Sequence, residues 1–411
     1  MELDIVDVNL NERSNNNYKI FTVIYISLFI FSQEFRSILG GELFIINPIA
    51  IICMALLIIN NMTVKLLINL DKLFGVMLVY MISASTYEPQ LSTILNTICT
   101  TFIPIILILV QIEEETLVKI FEKLIRIINV LMILITIIGI LECIFGININ
   151  IYFSRFMSAR TGGQIMLNVG SQRRMYSFMG HPLFNTELYL IFFVLNIIYD
   201  RYVLKTNDRL WIVCVSTIGI CLTSSKSGLI LLGVAIVLLY RCNSKFKKFV
   251  YIFCGMFIIL KLGLLDNVLI RFGEESLTSG RNETWDKIQM MGLYPIKFFS
   301  GYGKDSTFNL NNITSFWASA AFEYPFRAYE FECGILITIL IYVYILILPI
   351  IKLIKYKQKE LLIGFLIIFI DVNTFNGLIA SGDKFYIFCL FIFIILNIGE
   401  LKYRKCNKLK I

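Results

Sequence analysis

Four short stretches hold most of the side chains that could do chemistry. The first runs from Arg174 to Asn185, RMYSFMGHPLFN, and carries the chain's one histidine. Gly180 permits a tight bend, and Pro182 suits the first turn of a following helix. Such a bend holds Arg174 and His181 at one end of that helix. His181 could take a proton near neutral pH, or it could simply cap the helix. The second stretch is Leu222–Gly228, LTSSKSG, whose serines and Lys226 sit between two apolar runs. Polar residues there are costly unless they line a wet cavity or meet a ligand; the plain alternative is a turn whose lysine snorkels outward.

The third stretch is Thr278–Gly303. Thr278 or Ser279 could cap a helix starting near Arg281, with Trp285, Ile288 and Met291 on its apolar face. Arg281 at that N-terminus, beside free N–H groups and the positive end of the helix dipole, would suit an anion such as pyrophosphate. Pairing with Glu275 or Glu283 is the structural reading. The fourth stretch is Glu323–Gly334, EYPFRAYEFECG, where Glu323, Glu330 and Glu332 surround Arg327. A desolvated carboxylate there could act as a base toward a sugar hydroxyl, although acids at helix starts are also common for electrostatic reasons alone.

The elements that must position these residues follow from composition. Of the 411 residues 57% are hydrophobic and only 16% charged; mean hydropathy is +0.77. A water-exposed surface needs roughly a quarter charged residues, so a soluble enzyme, a disordered scaffold and a secreted disulfide domain are excluded. Runs such as Val130–Ile140 are apolar at both odd and even positions, which favours spanning helices over a barrel. The ten cysteines form no C-x-x-C pair and predict neither a disulfide framework nor a metal site. No cleavable leader is evident, and the first apolar run is expected to be a retained anchor helix.

The expected fold is an all-α polytopic membrane protein of about twelve spans, near 19–33, 43–60, 70–87, 93–111, 124–146, 182–199, 210–223, 228–241, 247–265, 332–351, 360–380 and 384–400. The seventh and eighth are short enough to be a tilted or re-entrant pair. The segments are 1–146 (five spans), 147–181 (a long outer loop), 182–265 (four spans), 266–331 (a second, partly helical outer loop) and 332–411 (three spans and a basic tail). With both termini cytoplasmic, most of the 37 Lys and Arg residues fall on inner segments, as the positive-inside rule requires. The two long outer loops are basic and aromatic, including Arg155, Arg160, Arg173, Arg271, Lys287, Lys297 and Lys304. Guanidinium groups grip phosphate and aromatic faces stack on sugars, so the outer face is expected to take an anionic, sugar-bearing ligand; anionic lipid heads are the other reading. The net charge of +8 records topology rather than nucleic-acid binding.

Taken in order, R-x-x-S-F-x-G-H-P-x-x-N at 174–185, T-S-S-K-S-G at 223–228, S-G-R-x-x-x-W at 279–285, G-x-G at 301–303 and E-x-G at 332–334 resemble the bacterial O-antigen and capsule polymerase and O-antigen ligase superfamily. The resemblance covers roughly residues 170–335. It implies a GT-C-like, metal-independent and cofactor-free glycosyltransferase of the bacterial cytoplasmic membrane, acting on undecaprenyl-pyrophosphate-linked oligosaccharides. A chain-length regulator is a further partner it would admit. Arg174 and Arg281 match the family's two arginine positions, Lys226 stands where a basic residue often follows serine, and Arg327 joins them as a pyrophosphate ligand. His181, Glu323 and Glu332 are the candidate catalytic residues. Ligases carry a histidine in the region matching 318–332, and this chain has none there, which favours a polymerase. A ligase, or a flippase for the same lipid-linked sugar, is the alternative; no internal repeat of the transporter kind is visible.

Overall fold

A computed structural model of the chain describes residues 2–40, 46–85, 90–156, 162, 166, 169, 174–241, 273, 280–292, 294–303, 306–314, 316–375, 377–378 and 382–408. Among these residues the fold is all helical, with no strand. The helices, in order, are α1 (Glu2–Tyr25), α2 (Gln33–Gly40), α3 (Pro48–Asn60), α4 (Val64–Ala84), α5 (Leu91–Leu109), α6 (Glu114–Phe145), α7 (Ile149–Ser154), α8 (Pro182–Tyr199), α9 (Leu210–Thr223) and α10 (Lys226–Leu239). They continue with α11 (Arg281–Met290), α12 (Ser306–Asn309), α13 (Pro325–Cys333), α14 (Ile335–Tyr342), α15 (Leu348–Lys355), α16 (Lys359–Thr374) and α17 (Asp383–Lys408).

Among the described residues six stretches are long and apolar enough to cross a membrane: Val64–Ala84, Leu91–Leu109, Glu114–Cys143, Pro182–Leu204, Ile335–Lys355 and Asp383–Asn407. The architecture is that of an α-helical membrane protein. Of the other six expected spans, 19–33 falls on the end of α1 and the π-turn Ile26–Ile30, and 247–265 lies outside the described residues. Helices α3, α9, α10 and α16 have 13, 14, 14 and 16 residues. At 1.5 Å per residue they reach only about 20–24 Å of a ~30 Å hydrocarbon core. The span expected at 332 begins after Gly334, because the backbone breaks there between α13 and α14.

Burial sorts the helices into a centre and a rim. The spanning window of α8 is 94% buried and that of α17 is 83% buried, against 28% for α4. The rim helices instead carry apolar faces outward, with Ile68 on α4, Val130 on α6 and Ile339 on α14 all exposed. In water such a surface would aggregate; in lipid it is matched to its solvent. Without a hydrophobic drive between helices, close approach at small residues supplies the packing. Gly219 of α9 is one such point, since a Cβ there would lie 2.0 Å from the Tyr189 ring of α8. That ring cannot swing away freely, because its hydroxyl is 2.7 Å from Thr136 Oγ1 of α6.

A buried ion pair fixes the start of α17. Arg36 Nη1 and Nη2 donate to Asp383 Oδ2 and Oδ1 at 2.8 and 3.0 Å, and Asn47 Nδ2 donates to Oδ1 at 3.2 Å. Both charged side chains are almost fully buried. Removing one partner would strand the other charge, which usually costs several kcal/mol.

Gly219→Val is expected to lower stability by about 1–3 kcal/mol through overpacking against Tyr189. Gly233→Ala, where nothing lies within 4 Å of the new methyl, is expected to leave it unchanged. Thermal unfolding of the two detergent-solubilised variants checks the contrast.

Candidate functional site

The segment 174–181 is irregular backbone at the membrane boundary, and each of its turns is tied to a neighbouring side chain. The Glu142 carboxylate of α6 accepts the backbone N–H of Tyr176 at 2.8 Å and of Ser177 at 2.9 Å. Asn185 of α8 donates to the carbonyls of Tyr176 and Met175 and accepts the Ser177 hydroxyl at 2.9 Å. Asn150 and Ser32 donate to the carbonyls of Ser177 and Phe178. Gly180 has φ +72°, which permits the sharp bend the sequence predicted there. His181 then takes the N-cap of α8, its Nδ1 accepting the backbone N–H of Leu183 at 3.2 Å, with Pro182 at the first helical position.

The second motif docks directly on the first. Arg174 Nε donates to the Thr223 carbonyl at 2.8 Å, and Met175 N–H donates to the Leu222 carbonyl at 3.0 Å. Ser224 turns the chain with φ +52°, Ser225 caps α10, and half-buried Lys226 is the first residue of that helix. The Ser225–Lys226 turn is thereby held beside Arg174.

The described residues between Arg281 and Phe331 form a small helical body of their own. Ile288, Leu310, Ala318, Ala321, Phe322, Ala328 and Phe331 make its core. Helix α11 has the expected N-terminus at Arg281, but its N-cap is Gly280 with no side-chain cap bond; Thr278 and Ser279 lie outside the described residues. Trp285 stacks edge-on against Phe322, 5.8 Å between centroids, and Ile288 is buried, whereas Met291 is exposed rather than part of the same face. The helix packs on the 3-10 turn Ala318–Glu323 of its own body. Gly301 belongs to this scaffold, because a Cβ there would lie 2.0 Å from the Glu332 carbonyl. The neighbouring Tyr302 and Gly303 N–H groups donate to the carbonyls of Phe331 and Glu332.

Arg281 pairs with Glu323, an acid not considered for it from sequence; Glu275 lies outside the described residues. Its Nε lies 2.7 Å and its Nη2 2.5 Å from Glu323 Oε2. Two of the expected site residues therefore neutralise each other in this state. Arg281 and Arg327 also share an aromatic face, with guanidinium carbons 5.5 and 4.8 Å from the Tyr324 ring centroid. Arg327 lies over Trp285 as well and donates to Asn282 Oδ1 at 2.9 Å. Its Nη1 is buried without a hydrogen-bond partner, a cost an anionic ligand would relieve. Glu332 accepts the Thr307 hydroxyl at 2.9 Å. Glu330 is half-buried; burial raises its pKa above the usual carboxylate range, with Arg327 acting in the opposite direction.

What joins the motifs is charge around His181. Burial, then the charges of Lys384, Arg174 and Arg281, in that order, push its pKa well below the ordinary 6.5. The ring is therefore neutral at pH 7. With Nδ1 already accepting from Leu183, its proton sits on Nε2, which becomes a hydrogen-bond donor rather than a base. Lys384 was not singled out in sequence. It lies 5.7 and 5.5 Å from the ring centroids of Phe184 and Phe375, directly after the anchored Asp383. It is one of the few bases in a short loop assigned outside, and that exception to the charge rule was the available signal. Arg174, on Thr223 beside Thr186, and Lys384, over Phe184, thus lie where α8 begins with His181; the charge of Arg281, with Arg327 beside it, also acts on that histidine. Arg160, Arg173, Arg271 and Lys304 fall outside the described residues. Among the described residues no group of His, Cys, Asp and Glu could hold a metal ion.

Comparison with known proteins yields no match: no family model, no curated protein and no solved structure corresponds to this chain.

The depressed His181 pKa fixes a pH dependence. Below about pH 6.5 the unfolded chain binds a proton on this histidine that the folded chain refuses, so stability is full above that pH and falls as acid is added. Between about pH 7 and 5 the wild type is expected to lose up to about 2 kcal/mol that His181→Asn, which keeps an N-cap acceptor, does not lose. Thermal unfolding against pH measures the difference.

Proposed function

We propose that the protein is a polysaccharide polymerase of the bacterial cytoplasmic membrane. In this reading it joins undecaprenyl-pyrophosphate-linked oligosaccharide units on the outer face, with both termini inside. The observation that carries the reading is the placement of Arg174 and Lys384 beside His181 at the start of α8, at the boundary of a membrane-embedded bundle, with the charge of Arg281 acting on the same histidine. A ligand there would be anionic at one end and apolar at the other, as a lipid-linked pyrophosphate is. The sequence resemblance supplies the sugar chemistry.

The step would run as follows. A hydroxyl oxygen of the acceptor sugar attacks the anomeric carbon of the donor. The bond from that carbon to the pyrophosphate oxygen breaks, and its electron pair leaves with the lipid pyrophosphate. Fixed cations at a low-dielectric surface stabilise that developing charge, and the Nε2–H of His181 adds a neutral donor. The hydroxyl proton goes to a carboxylate. Glu323 fits this role once the pyrophosphate displaces it from Arg281, and Glu332 and Glu330 are the neighbouring acids. Lys226 completes the rim near Arg174, and a chain-length regulator would act as a partner.

A flippase is the second reading, and one feature favours it. Glu187 of α8 and Asp371 of α16 are almost fully buried in the bundle; both Glu187 oxygens and Asp371 Oδ2 lack hydrogen-bond partners. Intramembrane acids of this kind are common in transporters.

Arg281→Ala and Lys384→Ala are each expected to remain in the membrane and to slow chain growth by about 100-fold or more, the usual effect of removing one charge-stabilising donor. Gel analysis of polymer length reads the result, and wild-type lengths in both variants would contradict the assignment. Chain growth by purified protein in detergent, with no bilayer to cross, excludes the flippase; its absence with a competent lipid-linked donor favours it.

A further inference from the structure

At the end of the bundle away from His181, two cavities meet. One, of about 450 Å³, is polar and is lined by Ser14, Tyr18, Lys119, Glu122, Lys123 and Arg126, among others. The second, of about 610 Å³, is apolar and runs between the π-turn Ile26–Ile30 with the start of α2 and the face of α6, along Ile30, Phe31, Phe35, Ile127, Val130 and Leu134. Lys123 and Arg126 line both. The α6 residues recur at i, i+3 and i+7, so they form one stripe covering roughly 10 Å of helix. Phe31, Val130 and Leu134 are exposed in this bundle, so the groove opens sideways toward lipid. Its far end reaches Phe178.

The charges at the junction are unequal. Lys119 is paired with Glu115 at 2.7 Å, and Arg126 is paired with Glu122. Lys123 has no ion pair within 4.0 Å among the described residues. An uncompensated ammonium thus sits where a polar pocket passes into an acyl-sized groove. A zwitterionic head would bring its own cation against this basic group, whereas an anionic head would not.

We propose that this composite cleft binds one anionic membrane phospholipid, with its phosphate at Lys123 and Arg126 and an acyl chain along Ile127, Val130 and Leu134. The site is separate from the one assigned to the lipid-linked sugar and does not depend on that assignment. Because the groove ends on Phe178, the bound chain would brace the segment that carries Arg174 and His181.

Native mass spectrometry of the full-length protein in detergent tests it, using phosphatidylglycerol and phosphatidylcholine with identical acyl chains. Phosphatidylglycerol is expected to be retained about fivefold better, the scale of one basic residue near a membrane surface. Lys123→Gln is expected to erase that preference, while Val130→Trp, which fills the groove from its lipid side, lowers retention of both lipids. Equal retention by the wild type, or an intact preference in Lys123→Gln, would overturn the proposal. Displacement of phosphatidylglycerol by an equal concentration of glycerol phosphate would also overturn it, since the groove would then contribute nothing. Thermal unfolding of both variants, expected to match the wild type, separates loss of the site from loss of the fold.

Discussion

Irregular backbone at the edge of a bilayer must find its hydrogen bonds within the protein, and everything at the candidate site depends on how residues 174–181 meet that demand. Glu142 takes two backbone N–H groups, and Asn185 takes two carbonyls and a hydroxyl. With those bonds made, the segment has little freedom left, and Arg174 and His181 inherit its rigidity. An acid late in a spanning helix looks costly when read alone. Here its oxygens face backbone N–H groups rather than hydrocarbon, so it acts as a bracket for the loop.

The cationic group shows the complementary arrangement. Like charges brought together repel, and the fold holds them by giving each a local anchor. Arg174 rests on the Thr223 carbonyl, Arg281 on Glu323, Arg327 on two aromatic faces, and Lys384 follows the Asp383–Arg36 pair. Burial first, and these charges after it, lower the His181 pKa. An anion entering this field would be met by cations already held in place. It would also compete with Glu323 for Arg281, which ties charge recognition to release of a carboxylate.

Much of this was legible in the sequence, for identifiable reasons. Composition dictates lipid as solvent, Gly180-His181-Pro182 spells a bend followed by a helix start, and Arg281 opens α11 as expected. Local rules reach that far because caps, bends and apolar runs are set by neighbours in the chain. The Arg281–Glu323 pair joins residues 42 apart and the Arg36–Asp383 pair residues 347 apart, and no local pattern encodes such partners. Lys384 was missed for the same reason, because its importance comes from what α8 places beside it. Span number was also hard to read. Runs such as α9 and α10 are apolar enough for lipid, yet 14 residues each, and composition does not measure length against a bilayer.

Helix α8 links the pieces in a way its sequence only hints at. Its first turn is capped by His181, its second presents Asn185 to the loop, and Thr186 reaches Thr223 at 2.9 Å. One residue further, Glu187 lies buried with both oxygens unpartnered, and the charges of Asp371 and Lys384 act on it. A helix serving only as a central pillar would carry none of these groups, since each polar side chain in a buried position costs stability unless it is matched. Their concentration in the first two turns, with the remainder of α8 almost wholly apolar down to Asn196, places the polar investment of the bundle core at one end. That end is where the loop, the turn before α10 and the start of α17 converge, so the asymmetry along one helix points to the same place as the charges around it.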